Sequence, residues 1–275
     1  MIYSNRIPAK DVLMPSTLQK DTVTLPKIAP PMTIQLLGLP VHNVTMEGAL
    51  AQIHTFVHSV GVHHVVTADA SMLVTAQEDK ELAEIIRGAS LVTPDSVGVL
   101  WGAKKRGTPL QERVSGVELV ERLCALSSSQ NYRIFFFGAA PGVAELASRK
   151  MCERYPGCLV VGTHDGYFTS EQVPGILEEI KATKPDILCV AFGIPKQEKW
   201  IRAHAREIGV PVSIGVGGTF DVLSGTVKRA PVLFQKLKLE WCWRVIKNPK
   251  KLNKVLLLPK FVKHVLSTRE NGVRG

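Results

Sequence analysis

Short apolar runs recur along the chain, separated by stretches in which apolar residues fall three and four positions apart. The first pattern belongs to strands and the second to helices. Thr33-Ile34-Gln35-Leu36-Leu37 reads as a short strand, and Thr45 is placed to cap a helix through Ala49, Ile53 and Val57. Val65-Val66 is a buried strand with Thr67-Ala68-Asp69 at its C-terminal end, and a helix is expected from about Ser71 to Arg87. Ser90-Leu91-Val92-Thr93 is the next strand and ends in Pro94-Asp95-Ser96; Arg113-Val114-Ser115-Gly116 then leads into a helix through Leu119 and Leu123. Arg133 to Phe137 is the clearest buried strand, followed by the turn Gly138-Ala139-Ala140-Pro141-Gly142 and a helix from Val143 to Tyr155. Leu159 to Gly162 is a strand, Asp165-Gly166-Tyr167 a loop, and about Ser170 to Thr183 a helix. Ile187 to Phe192 is a strand ending at Gly193, a helix passes through Trp200 and His204, and Val212 to Val216 is the last strand before Gly217-Gly218. Such alternation predicts an α/β fold with a mostly parallel, Rossmann-like sheet and helices on both faces.

The two ends follow other patterns. Residues 1–32 hold Pro8, Pro15, Pro26, Pro30 and Pro31 without periodicity and read as a flexible extension. The core is expected over residues 33–227. Residues 228–275 form a basic amphipathic appendage, with 13 Lys and Arg against Glu240 and Glu270. The whole chain carries a formal charge of +10, so the core is nearly neutral and the tail holds the excess. Within it, Val232, Leu233, Phe234, Leu237, Leu239, Trp241, Trp243, Val245 and Ile246, then Leu252, Val255 to Leu258, Phe261, Val262, Val265 and Leu266, fit two helices divided near Asn248-Pro249. Apolar residues on one face and lysines on the other suit a membrane interface, and equally a helix packed on its own domain; periodicity does not separate them. Charge asymmetry of this kind marks contact with a polyanion, such as an anionic lipid or a phosphorylated substrate. Nucleic acid is the weakest of these, since no interleaved aromatic sheet or zinc module accompanies the charge.

The composition narrows the field. With 275 residues, 45% apolar and 21% charged, the chain can bury a core without staples. Five scattered cysteines without a CxxC pair argue against a disulfide framework or zinc site, and read as core packing in a reducing compartment. The eight histidines form no metal-ligand spacing, His63-His64 included, so no metal is expected. No run approaches the ~20 apolar residues of a membrane span. No apolar region follows Met1 to Arg6, so secretion is not expected.

In parallel sheets ligands bind beyond the carboxyl ends of the strands. That rule selects Thr67, Asp69, Asp95, Gly138 to Gly142, Asp165 to Tyr167, Gly193 to Gln197 and Gly217 to Asp221. The turn from Gly138 to Gly142 opens a helix whose free N–H groups suit a phosphate, or is an ordinary strand-to-helix turn. Gly215, Gly217 and Gly218 allow close approach of a ligand, and Asp221 is placed for ribose hydroxyls or for helix capping. Asp95 at a strand end could take a proton from an attacking hydroxyl, or cap the next helix. Thr67 and Asp69 could bind a sugar or cap, and Gln197 with its charged neighbours could serve the cleft or begin a helix.

Eight motifs then occur in order: Thr67-Ala-Asp-Ala, Thr93-Pro-Asp-Ser, Glu112-Arg-Val-Ser-Gly-Val-Glu, Gly162-Thr-His-Asp-Gly-Tyr-Phe, Phe192-Gly-Ile-Pro-Lys-Gln-Glu, Gly215-Val-Gly-Gly-Thr-Phe-Asp, Gly225-Thr-Val-Lys-Arg-Ala-Pro and Leu239-Glu-Trp-Cys-Trp-Arg. Together, over about residues 33 to 262, they resemble the WecG/TagA/CpsF glycosyltransferase family. The resemblance implies an inverting, metal-independent transfer without a cofactor. The donor would be a UDP-N-acetylhexosamine, typically carrying N-acetylmannosamine or its uronic acid. The acceptor would be a polyprenyl-diphosphate-linked N-acetylglucosamine at the cytoplasmic face of the membrane. It makes Asp95 the general base, with Thr67 and Gln197 as its catalytic partners. It places Asp69, Tyr167, Gly217, Gly218 and Asp221 around the donor, and the turn at Gly138 is a further candidate for its phosphates. Arg113, with Arg244, Lys251 and Lys254 of the appendage, would stabilise the departing diphosphate, and the appendage would touch an anionic membrane surface. A homo-oligomer stays open.

The chain departs from the family pattern in three places: Asp69 stands for an asparagine, Ser96 for the glycine after the base, and Lys251 and Lys254 for arginines. Lysine loses bidentate phosphate recognition, and Asp69 would add a second carboxylate to the cleft. A nonenzymatic α/β adaptor for membranes or polyanions is the rival reading. A nicotinamide-dependent dehydrogenase is disfavoured because no GxGxxG follows the first strand.

Overall fold

The computed structural model describes residues 29–227 and 256–267. Its centre is a parallel sheet of β3 (His63–Ala68), β4 (Leu91–Pro94), β5 (Arg133–Gly138), β6 (Leu159–His164), β7 (Ile187–Ala191) and β8 (Val212–Gly215). Their spatial order is β4-β3-β8-β7-β5-β6, and every neighbouring pair is parallel. Successive residues point to opposite faces of a strand. Val65, Phe136 and Cys189 accordingly join one core, and Val66, Phe135, Phe137 and Leu188 the cores on the other side. Because both faces are covered, β4, β7 and β8 are buried throughout and show no polar alternation.

One face carries α1 (Met46–Val57), α5 (Gly116–Gln130), α6 (Val143–Arg154) and α9 (Thr219–Leu223). The other carries α2 (Ala70–Glu78), α3 (Lys80–Gly88), α7 (Val173–Thr183) and α8 (Lys196–Ile208). The short α4 (Val97–Lys105) packs in the same core as α2 and α3. This is the expected α/β architecture, with a mostly parallel sheet between helical layers.

Local detail differs from expectation in four places, each with a physical cause. The first strand is half of an antiparallel hairpin, β1 (Thr33–Leu36) with β2 (Leu39–His42). Its turn residues Leu37 and Gly38 have φ of 56° and 71°, the paired positive values of a tight hairpin turn. The helix expected over Ser71 to Arg87 breaks at Asp79, which leaves helical geometry and caps α3 by accepting from Leu82 N at 3.0 Å. Lys199 reaches across from α8 to Asp79 at 2.8 Å and Glu81 at 2.9 Å, and its hydrogen bond holds the Asp79 carboxyl below the usual range. The helix α4 is an addition to the expected elements. It starts on the Ser96 hydroxyl, which accepts from Val99 N. The helix expected from Ser170 begins as a 3-10 turn, capped by Thr169 and Gln172, before α7.

Of the appendage, residues 256–267 are described; the first of its two expected helices lies outside the described residues. The helix α10 (Leu257–Ser267) buries Phe261 and Val265 in the core that holds Met72, Leu73, Val99 and Ala103. Gly102 makes room for it: a Cβ there would lie 2.9 Å from Phe261 Cζ. That face of α10 is therefore packed on the domain, while Val262 and Leu266 stay exposed.

Phe261→Ala is expected to lower unfolding stability by about 3–5 kcal/mol, the usual cost of emptying an aromatic site, measured by urea denaturation of the full chain. His64, at the start of β3, has Nε2 buried without a hydrogen-bond partner. Burial, with Arg202 nearby, lowers its pKa from 6.5 to about 4. The unfolded chain therefore binds this proton first. His64's contribution is intact above about pH 6.5 and is lost progressively as pH falls towards 4. The urea midpoint of His64→Gln should fall less between pH 7 and 5 than that of the parent.

Candidate active site

All six parallel strands end on one edge, and the chain leaves each through a residue that the sequence singled out. In sheet order these are Asp95 after β4, Thr67 and Asp69 at the end of β3, and Gly217 and Gly218 after β8. Gly193 and Gln197 follow β7, Gly138 ends β5, and Asp165 to Tyr167 follow β6.

Asp95 and Thr67 lie at adjacent strand ends, joined by the bond from Asp95 N to Ala68 O at 2.9 Å. Asp95 is half-buried, and its Oδ1 accepts from the N–H of Gly116 at 3.2 Å. Gly116 is the first residue of α5, so the carboxylate sits at a helix N-terminus, where the free N–H groups favour an anion. Thr67 is buried and donates from Oγ1 to Gly215 O at 2.7 Å, tying β3 to the end of β8. Gly116 borders both side chains: a Cβ there would lie 3.5 Å from Thr67 Oγ1 and 3.7 Å from Asp95 Oδ2. Arg113 is half-buried just before Val114, whose N–H bonds Pro94 O at 2.9 Å, so it too belongs to this end.

The two departures within the described cleft act as helix caps. Asp69 caps α2, accepting with Oδ1 from Met72 N at 2.8 Å and Ser71 Oγ at 2.6 Å. Ser96 Oγ accepts from Val99 N and also from Ala70 N at 3.2 Å, which fastens the β4 loop to the β3 loop. Asp and Asn cap about equally well, so the exchange at position 69 preserves this local geometry.

The glycine-rich turns have distinct causes. Gly138 has φ of 123°, and a Cβ there would lie 2.6 Å from Ala191 O, so packing against β7 demands glycine. Gly217 has φ of 54°, and a Cβ there would meet nothing within 4 Å, so its turn is open on that side. Gly218 caps α9, and Asp221 is half-buried in the first turn of that helix. Phe220 anchors α9 by stacking on Phe136 at 4.5 Å. Tyr167 is 75% exposed, and its N–H is held by Asp165 Oδ1 at 2.8 Å.

Gln197 is buried and faces inward. Its Oε1 accepts from Gly193 N at 3.0 Å and Gly217 N at 2.9 Å, which clamps the loops after β7 and β8 together. Glu198, fully buried, accepts from Gln197 Nε2 at 2.7 Å. In the sequence Glu198 is one charge on a helix start, and Gly116 carries no assignment. The partner of Gly116, Asp95, comes from the loop after β4, whereas that of Glu198 is its neighbour Gln197.

Arg244, Lys251 and Lys254 lie outside the described residues. Among the described residues, no group of three or more His, Cys, Asp or Glu is arranged to hold a metal, and no helix is long and apolar enough to cross a membrane. A cavity of about 590 Å³ lined by Val74, Thr75, Glu78, Asp79, Lys80 and Leu257 lies at the α2–α3 junction, away from the strand-end chemistry.

The chain is 34% identical over 202 residues to the N-acetylglucosaminyldiphosphoundecaprenol N-acetyl-beta-D-mannosaminyltransferase of Bacillus spizizenii, covering 74% of this chain and 78% of that one. It is 31% identical over 231 residues to the protein of the same name from Staphylococcus aureus, covering 83% and 90%. The model of the glycosyl transferase WecG/TagA/CpsF family matches residues 34–274, taking in every strand of the parallel sheet and the loops that carry Asp95, Thr67 and Gln197; the chain belongs to that family.

Proposed function

We propose that the protein is an inverting glycosyltransferase. It moves an N-acetylhexosamine, N-acetylmannosamine or its uronic acid, from a UDP-sugar to a polyprenyl-diphosphate-linked N-acetylglucosamine in the synthesis of a cell-surface polymer. The observation that carries this is the Asp95 carboxylate, seated on the N-terminus of α5 beside Thr67 and across Gly116, at the sheet edge where donors bind. The names of the relatives supply the sugar and acceptor classes.

In this mechanism the donor lies along the strand ends, with its nucleotide towards Gly217, Gly218, Asp221 and Tyr167. Asp69 and Gly138 border the sugar and the diphosphate. Asp95 takes the proton of the acceptor hydroxyl as that oxygen attacks the anomeric carbon. The new C–O bond forms opposite the breaking bond to phosphate, so the configuration inverts and UDP departs. Arg113, Arg244, Lys251 and Lys254 offset the charge growing on the diphosphate. Thr67 fixes the end of β3 against Gly215, and Gln197 holds the Gly217 turn from behind.

The acceptor's lipid would bring the protein to the cytoplasmic face of the membrane as a peripheral enzyme. The exposed Val262 and Leu266 of α10, interleaved with exposed Lys260 and Lys263, support that reading.

Asp95→Asn keeps the shape and the bond from Gly116 but cannot take up the proton. UDP release with the lipid acceptor should fall by about 10²–10⁴-fold while UDP binding persists; near-normal turnover removes Asp95 as the base. In a thermal-shift assay UDP should raise the melting temperature, and NAD or inorganic phosphate at the same concentration should not. Indifference to UDP together with binding to anionic vesicles would instead fit the adaptor.

A further inference from the structure

The loops after β7 and β8 are joined through one side chain. The two ends of a carboxamide are alike in shape and opposite in hydrogen bonding. With its oxygen inward, Gln197 accepts from the N–H groups of Gly193 and Gly217. Turned over, it would set an NH₂ against two N–H donors. The correct orientation needs an acceptor at the other end, and Glu198 Oε1 is that acceptor, at 2.7 Å and fully buried. There is little space in which to rearrange. A Cβ on Gly215 would lie 2.7 Å from Gln197 Nε2 and 2.8 Å from Glu198 Oε1. The carbonyl of the same Gly215 accepts the Thr67 hydroxyl. The Gln197–Glu198 pair is thus wedged against the strand end that also holds Thr67.

We propose that Glu198 is a positioning residue: by accepting from Gln197 Nε2 it fixes the carboxamide so that its oxygen clamps Gly193 and Gly217 and sets the Val216–Gly218 turn for the nucleotide. This rests on reading the strand edge as a UDP-sugar site. Glu198 acts through Gln197 and touches no substrate. What the position requires is an acceptor rather than a charge, and the two side chains can exchange roles. In Gln197→Glu two carboxylates face each other in a buried space, and one must hold a proton for both to stay. Adding Glu198→Gln to that variant restores a donor between them: the carboxylate now at position 197 accepts from both glycines and from the amide now at position 198.

The test uses the full chain with Glu198→Gln, Glu198→Leu, Gln197→Glu and the double exchange. Hydrogen exchange of the Gly193 and Gly217 amides is read without ligand, UDP affinity by calorimetry, and turnover from pH 5.5 to 8.5. Glu198→Gln and the double exchange should keep most of the protection and affinity. Glu198→Leu should speed exchange at Gly217 at least tenfold and weaken UDP at least tenfold, raising the donor KM more than it lowers kcat. Gln197→Glu should recover activity as pH falls, and the double exchange should flatten that profile. Parental protection in Glu198→Leu, or a double exchange no better than Gln197→Glu, would overturn the proposal. If Glu198→Leu does not fold, the comparison of Gln197→Glu with the double exchange decides. If the parent ignores UDP, the nucleotide-sugar reading falls, and amide exchange still judges the positioning claim separately.

Discussion

Parallel strand register sets the height of everything in the cleft. Ala68 lies opposite Pro94, Gly215 opposite both Val66 and Val190, and Ala191 opposite Gly138. The strands therefore end within about two residues of one another, and the loops that follow them share one edge. Burial on both faces enforces this register: a slip of one residue would turn Val65, Phe136 or Cys189 into the wrong core. Asp95 N reaches Ala68 O because β3 and β4 end together. Gln197 can reach both Gly193 and Gly217 because β7 and β8 do.

On that frame the loops are fastened by buried or half-buried polar groups. Thr67 bonds the end of β8, Ser96 bonds the β3 loop as well as its own helix, and Gln197 bonds two loops at once. A polar atom buried without a partner is costly, so each such group holds its neighbour in one place. Helix caps take part in the same design. Asp69 begins α2 at the cleft, and the N-terminus of α5 receives Asp95. Asp69, which departs from the family pattern, does the capping work that an asparagine does.

The appendage shows where helical periodicity stops being informative. Phe261 and Val265 fill a core, while Val262 and Leu266, one position on from each, remain exposed. One face of the helix packs on the domain, and the neighbouring strip of Val262 and Leu266 is exposed.

The six parallel strands, the α/β class and the strand-end edge that gathers the candidate residues were legible in the chain, because strand period, run length and glycine punctuation are local properties; β2 was not. Thr67, Asp95, Gln197 and Gly217 could be picked out from the ends of apolar runs alone. The pairing of Asp79 with Lys199 from α8 could not. Nor could the orientation of Gln197, the burial of Glu198 or the approach of Gly116 to Thr67 and Asp95. Apart from the bond between the adjacent Gln197 and Glu198, those depend on groups from different strand ends that come within hydrogen-bond or contact distance only once the register of the sheet is set, and a one-dimensional pattern carries no record of which strand ends become neighbours.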